Sequence, residues 1–263
     1  MKKIFILLFL FNVLCLNAQQ EASNWYFGEN AGIQFNPDGS ITALDDGQIN
    51  TREGCSSISD QSGDLLFYTD GSRVYNRNHS LMSNGNGLLG DQSSTQSAIV
   101  VPKPDDENIY YIFTVGSNQS PTGLNYSIVD MTLDGGLGAI TQKNINLLNT
   151  CSEKISAVLK DCDSQEIWLI TLTNDSGLQG NWNAFYSFTI SDLGVDPDPV
   201  ISLIPMISIN DSRGYLKLSP DGTKLACANV NDGLLLFDFD TQTGITSNPQ
   251  LLTINNSVDC LLY

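Results

Sequence analysis

Ser212 to Gly244 reads SRGYLKLSPDGTKLACANVNDGLLLFDFDTQTG. Three strands follow one another here. YLKLS is turned by SPDG, KLACANV is turned by Asn231-Asp232-Gly233, and LLLFDFD runs on to Thr241–Gly244. An Asp-Gly pair suits a hairpin because it tolerates positive φ. A fourth, weaker strand is expected near Pro249 to Ile254. A four-stranded meander of roughly 40 residues is the size of one propeller blade.

The same plan recurs upstream. GCSSIS, DLLFYTD and RVYNRN make one unit; QSAIVV, IYYIFTV and LNYSIVDMT a second; KISAVL, EIWLITLT and NAFYSFTIS a third. Before them stand WYF, GIQF and ITAL, a unit without an obvious innermost strand, and residues 80–93 read as a long loop rich in Gly, Asn and Ser. No twelve-residue segment carries a clean helical period, and short β-branched and aromatic runs dominate. The expected fold is all-β: a β-propeller of four-stranded antiparallel blades, about five in number. First strands align on Ile58, Val101, Leu159 and Leu218, with steps of 43, 58 and 59 residues. The uneven steps place loop insertions between blades.

Residues 1–18 have the form of a secretory signal peptide. Lys2 and Lys3 precede an apolar run from Ile4 to Leu16, too short for the roughly 20 residues of a membrane helix, and Ala18 marks the cleavage point. The propeller is assigned to 19–263, at the cell surface or secreted. Without the leader, 10 basic residues face 29 acidic ones, a net charge of −19. Such a field repels nucleic acid and anionic membranes. Acidic turns at Asp45-Asp46-Gly47 and Asp196-Pro197-Asp198 offer oxygens for calcium without the spacing of an EF-hand loop, so no cofactor is expected beyond that weak calcium signal. Five cysteines remain, an odd number with no CxxC, which reads as small buried thiols; Cys151 and Cys162 flank a strand and should not pair.

Gly54 to Asn78, GCSSISDQSGDLLFYTDGSRVYNRN, with Gly87-Leu88-Leu89-Gly90 and Ser93-Ser94-Thr95-Gln96-Ser97, resembles the amino-terminal propeller of large secreted proteins of gliding and related Bacteroidetes. EKISAV (153–158), GYLKLSPDGTKLA (214–226) and GLNYSIVDMTLDGGLG (123–138) extend the resemblance over nearly all of residues 24–263. It implies adhesion and type IX secretion through a carboxy-terminal sorting domain, which this sequence does not contain. The expected strand at Val258–Tyr263 then reads either as a truncated blade or as the clasp of a closed five-bladed ring, with truncation preferred.

The anchor register also names site residues. Five positions before each anchor stand Glu53, Gln96, Lys154 and Arg213; one position earlier stand Arg52, Thr95, Glu153 and Ser212. Two readings are open: a polar ring that binds a ligand at one channel mouth, or charges that satisfy one another. Trp182, in the polar stretch GNWN, is expected to be exposed and able to stack on a glycan, and Trp168 to pack in the core. His79 reads as structural or solvent-facing. The leading functional reading is a non-enzymatic module that binds protein or glycan. A polysaccharide-acting propeller hydrolase or lyase, and a structural spacer, are the alternatives.

Overall fold

The computed structural model describes residues 20–161, 163–174, 182–205, 207 and 209–252. The leader, Cys162, Cys260 and the expected strand at Val258–Tyr263 lie outside the described residues. Five antiparallel meanders follow in order. The first comprises β1 (Asn24–Tyr26), β2 (Gly32–Phe35) and β3 (Ile41–Leu44); the second β4 (Ser56–Ser59), β5 (Leu65–Thr69), β6 (Arg73–Asn76) and β7 (Leu81–Asn86). The third comprises β8 (Ala98–Lys103), β9 (Asp106–Ser117), β10 (Ser120–Asp130) and β11 (Ala139–Leu148). In the fourth, β12 (Ile155–Leu159), β13 (Ile167–Thr173) and β14 (Ala184–Ser191) are followed by a divided outer strand, β15 (Gly194–Val195) and β16 (Val200–Leu203), both paired with β14. The last comprises β17 (Leu216–Leu218), β18 (Lys224–Asn229), β19 (Gly233–Asp240) and β20 (Ile245–Leu252). A parallel bridge between Ser83 and Ala139 joins the second and third blades at their outer edges.

The inner strands stand side by side: β1 packs on β4, β4 on β8, β8 on β12 and β12 on β17. This is a β-propeller. The anchor residues Ile58, Val101, Leu159 and Leu218 all fall on these inner strands. The core is divided into slabs between neighbouring blades, because alternate residues of a strand face opposite ways. On β13, Trp168, Ile170 and Leu172 pack toward Leu225, Cys227 and Phe237 of the fifth blade, whereas Ile167 and Leu169 pack toward Val101 and Phe113 of the third. All seven residues of β13 are buried. Trp168 is a core residue, as expected, and its indole N–H donates to Thr241 O at 2.7 Å. Gly244, at φ 73°, lies against that ring so closely that a Cβ would stand 2.7 Å from it.

Three local expectations are corrected. β1 supplies the inner strand of the first blade through its contact with β4, so among the described residues it is a fourth, outer strand that this blade lacks. Residues 81–86 form β7 rather than loop: Met82 and Gly85 turn inward, and Asn84 at φ 59° absorbs the irregularity of an edge strand. β20 begins at Ile245, not near Pro249. A register shift around Asn248 (φ 50°) accommodates the proline on an outer strand, where its missing N–H costs no ladder bond. No helix among the described residues is long and apolar enough to cross a membrane.

Candidate functional site

The segments that lead into β4, β8, β12 and β17 meet at one end of the channel. A belt of backbone hydrogen bonds ties them: Arg52 N–H to Gln92 O, Gly54 N–H to Ser94 O, Gln96 N–H to Glu153 O and Glu153 N–H to Ser212 O, at 3.1–3.2 Å. The belt leaves the side chains at these positions in very different surroundings.

Glu153 is 2% exposed. Its Oε1 accepts from Asn118 N–H at 2.6 Å, and its Oε2 accepts from both the N–H and the hydroxyl of Thr95 at 2.9 Å. Lys154 is fully buried beneath it, donating to Asn229 Oδ1 at 2.7 Å and Asp211 O at 3.4 Å. Burial pushes its pKa down, against the opposing pull of Cys227 and Asp211. Gly214, at φ 129°, passes over it so closely that a Cβ would meet Ala228 O at 2.1 Å. Gln96 is half-buried. Its amide bridges the channel to β17, accepting from Leu216 N–H at 2.8 Å and donating to Leu216 O at 3.2 Å.

Arg213 is exposed and clamped by Asp211, with Nε to Oδ1 at 2.9 Å and Nη2 to Oδ2 at 2.6 Å. That fork holds the Asp211 carboxyl below the ordinary carboxylate range and raises the guanidinium still further. Asn231 Nδ2 donates to the same carboxylate at 2.7 Å. Glu53 is exposed. Partial desolvation, and then the Glu153 charge, raise its pKa against the lowering effects of Thr95 and Arg213. Tyr215 stands near Cys55 and Glu53, its phenol pushed up by burial and by those two groups. Arg52 is exposed and makes no ion pair among the described residues. Of the six ring residues, Glu53, Glu153 and Arg213 therefore share one electrostatic neighbourhood. Gln96 and Lys154 are spent on holding the channel together.

Beside Glu153 lies a cavity of about 300 Å³, lined by Ser117, Asn118, Pro121, Cys151, Trp182, Asn210 and Ser212 among others. The expectation that Trp182 is exposed fails. It is 5% exposed and packed with Ile204 and Ile209, because a β-bridge to Ile209 draws its polar-looking segment into the core. The exposed tryptophan is Trp25, edge-on to Phe35 with centroids 5.2 Å apart. Ser212 and Asn210 carry no motif that would single them out; only the anchor register passes through Ser212. Burial pushes the Cys151 thiol up to about 12, which makes it a poor nucleophile.

Away from the mouth, His79 is held at both ring nitrogens. Tyr68 Oη accepts from Gln48 N–H and lies 3.1 Å from His79 Nδ1, and His79 Nε2 faces Asp46 at 3.2 Å. Tyr26, stacked on Tyr68, donates to the same aspartate. The Asp45–Gly47 turn is thus engaged locally, and Asp196 Oδ1 accepts from Asp198 N–H. Among the described residues no group of three or more His, Cys, Asp or Glu side chains is placed to hold a metal ion. Cys55, Cys151 and Cys227 are free thiols.

No protein-family model and no curated protein matches the chain. Solved structures do. The periplasmic gluconolactonase of Pseudomonas aeruginosa aligns at 16% identity and TM-score 0.41, over 84% of this chain and 62% of that one. A putative 6-phosphogluconolactonase from Bacteroides uniformis aligns at 15% and 0.45, over 86% and 65%. The Dos1 propeller aligns at 6% and 0.40, over 88% and 55%. The chain thus spans less than two thirds of the length of these structures, and likeness at this level concerns fold, not activity. The resemblance to gliding-motility surface proteins is corrected here: the neighbouring structures include gluconolactonases. With it goes the expectation of a non-catalytic adhesin-like module.

Proposed function

We propose that the channel mouth is the active site of a hydrolase acting on a carbohydrate ester, lactones included. The observation that carries this is the division of labour between two carboxyl groups. Glu153 has three donors on its oxygens and is almost wholly buried, whereas Glu53 is accessible and has its pKa raised. A raised pKa in an accessible carboxyl suits it to general-base work. Glycoside hydrolysis needs two working carboxyls, and only one is free here. Ester hydrolysis needs one general base and a stabiliser for the oxyanion.

Glu53 takes a proton from water as the water oxygen bonds to the acyl carbon. The Arg213 guanidinium, whose Nη1 is unbonded among the described residues, stabilises the resulting oxyanion. The C–O bond then breaks, and Glu53 returns its proton to the leaving alkoxide. Asp211 orients the guanidinium. The residue 1–18 leader makes this an exported enzyme in the proposal.

The test is turnover on a panel of sugar esters, aldonolactones and aryl glycosides; the lactones enter because two neighbouring structures are named gluconolactonases and a third a putative 6-phosphogluconolactonase. Hydrolysis of an ester or lactone that is lost in Glu53→Gln supports the proposal. Full activity in that variant, or activity confined to glycosides, refutes it.

A further inference from the structure

We infer that the cavity beside Glu153 is a subsite for one neutral sugar ring, the part of the substrate that is held while the mouth reacts; this rests on the hydrolase reading above. Its volume of about 300 Å³ lies at the lower end of the range for small-molecule sites, which suits one ring rather than a polymer segment. Ser212 supplies the observation that points to a ligand. It lines the cavity, is 5% exposed, and its Oγ is buried with no hydrogen-bond partner among the described residues. Buried hydroxyls are seldom left so, and a ligand hydroxyl would satisfy it.

Glu153 adds a second contact point. Its Oε1 accepts one hydrogen bond, from Asn118 N–H, and so keeps a lone pair for a further donor. Trp182 and Pro121 give the cavity an apolar surface suited to the C–H face of a sugar. Charge settles the class. Glu153 is the sole acidic or basic side chain among the lining residues other than the Cys151 thiol, so a phosphorylated or carboxylated ligand would set like charges together. A neutral polyol ring meets hydroxyl, carboxylate and aromatic partners at once. Glu153 also connects subsite to mouth, because its other oxygen is held by Thr95, which neighbours Glu53.

The experiment is binding of D-glucose, D-galactose and glucose 6-phosphate by titration calorimetry, on the full chain and on Glu53→Gln, Ser212→Ala and Ser212→Val. At least one neutral hexose should bind the parent and Glu53→Gln alike. It should bind at least tenfold more weakly to Ser212→Ala, which loses the hydroxyl, and to Ser212→Val, which also fills space. Glucose 6-phosphate should bind at least tenfold more weakly than the neutral sugar. Thermal melting of both Ser212 variants verifies that they fold. Equal hexose binding by Ser212→Ala, a preference for the phosphorylated sugar, or no neutral hexose binding overturns the subsite. Retained turnover in Glu53→Gln with hexose binding intact overturns the mouth as the active site and leaves the subsite standing.

Discussion

The lead-in to the second blade leaves Glu53 in solvent, whereas the lead-in to the fourth draws Glu153 and Lys154 almost wholly out of water. The two stretches occupy neighbouring positions of one repeating register. What separates them is the cover supplied by the third blade. β9 and β10 run twelve and eleven residues, and Asn118, in the turn between them, reaches the Glu153 carboxylate. β5 and β6, with five and four residues, form a much shorter hairpin. A repeat can thus assign one position to scaffold in one blade and to chemistry in another through hairpin length alone.

The comparison breaks most decisively at Glu53. Glu53→Gln should lower turnover by roughly 10²–10⁴-fold, while urea titration places its stability within about 0.5 kcal/mol of the parent. Glu153→Leu should show the reverse emphasis. It strands the Asn118 and Thr95 donors, and urea titration should record a loss of about 2–4 kcal/mol. Gln96→Leu removes two bonds to Leu216 across the channel and should cost about 1–3 kcal/mol in the same assay.

A pH profile sharpens the contrast further. With Glu53 as the base of the proposed hydrolysis, kcat/KM should fall as pH drops through its raised pKa. Removing the neighbouring charge in Glu153→Gln should move that acidic limb to lower pH, because the Glu153 charge helps to raise it. The smallest effect belongs to Lys154. Its folded pKa lies below the unfolded one, so the unfolded chain binds more protons in the window between them. Stability should therefore gain with rising pH from the folded value up to about 10.4. Lys154→Met should flatten that rise in melting temperature measured against pH.

Much of the fold was legible because blades are local. Turn chemistry at Ser219–Gly222 and alternation along β18 and β19 are contained within a few residues, and the anchors placed four inner strands. β7 was hidden because an outer strand with a shifted register against β6 and a single parallel bridge to β11 tolerates Asn and Gly, which elsewhere punctuate loops. The register located the mouth but not the depth of its side chains. Gln96 finds its partner 120 residues away, and Trp182 is buried by a bridge to Ile209, 27 residues on. Neither pairing leaves a periodic trace. Ser212 shares its isolation from partners with Ser94, and what sets it apart is its place in the cavity lining, which no string of residues displays.

The clasp between Gln96 and Leu216 bears on how the molecule comes into being. Contacts between residues so far apart form only after the intervening chain has been threaded into place, and such pairings are slow. The third and fourth blades must stand before the fifth can dock, so the mouth is assembled at the finish. During refolding, recovery of hydrolysis should trail the burial of Trp168, and a nascent chain that stops short of β17 should be catalytically silent.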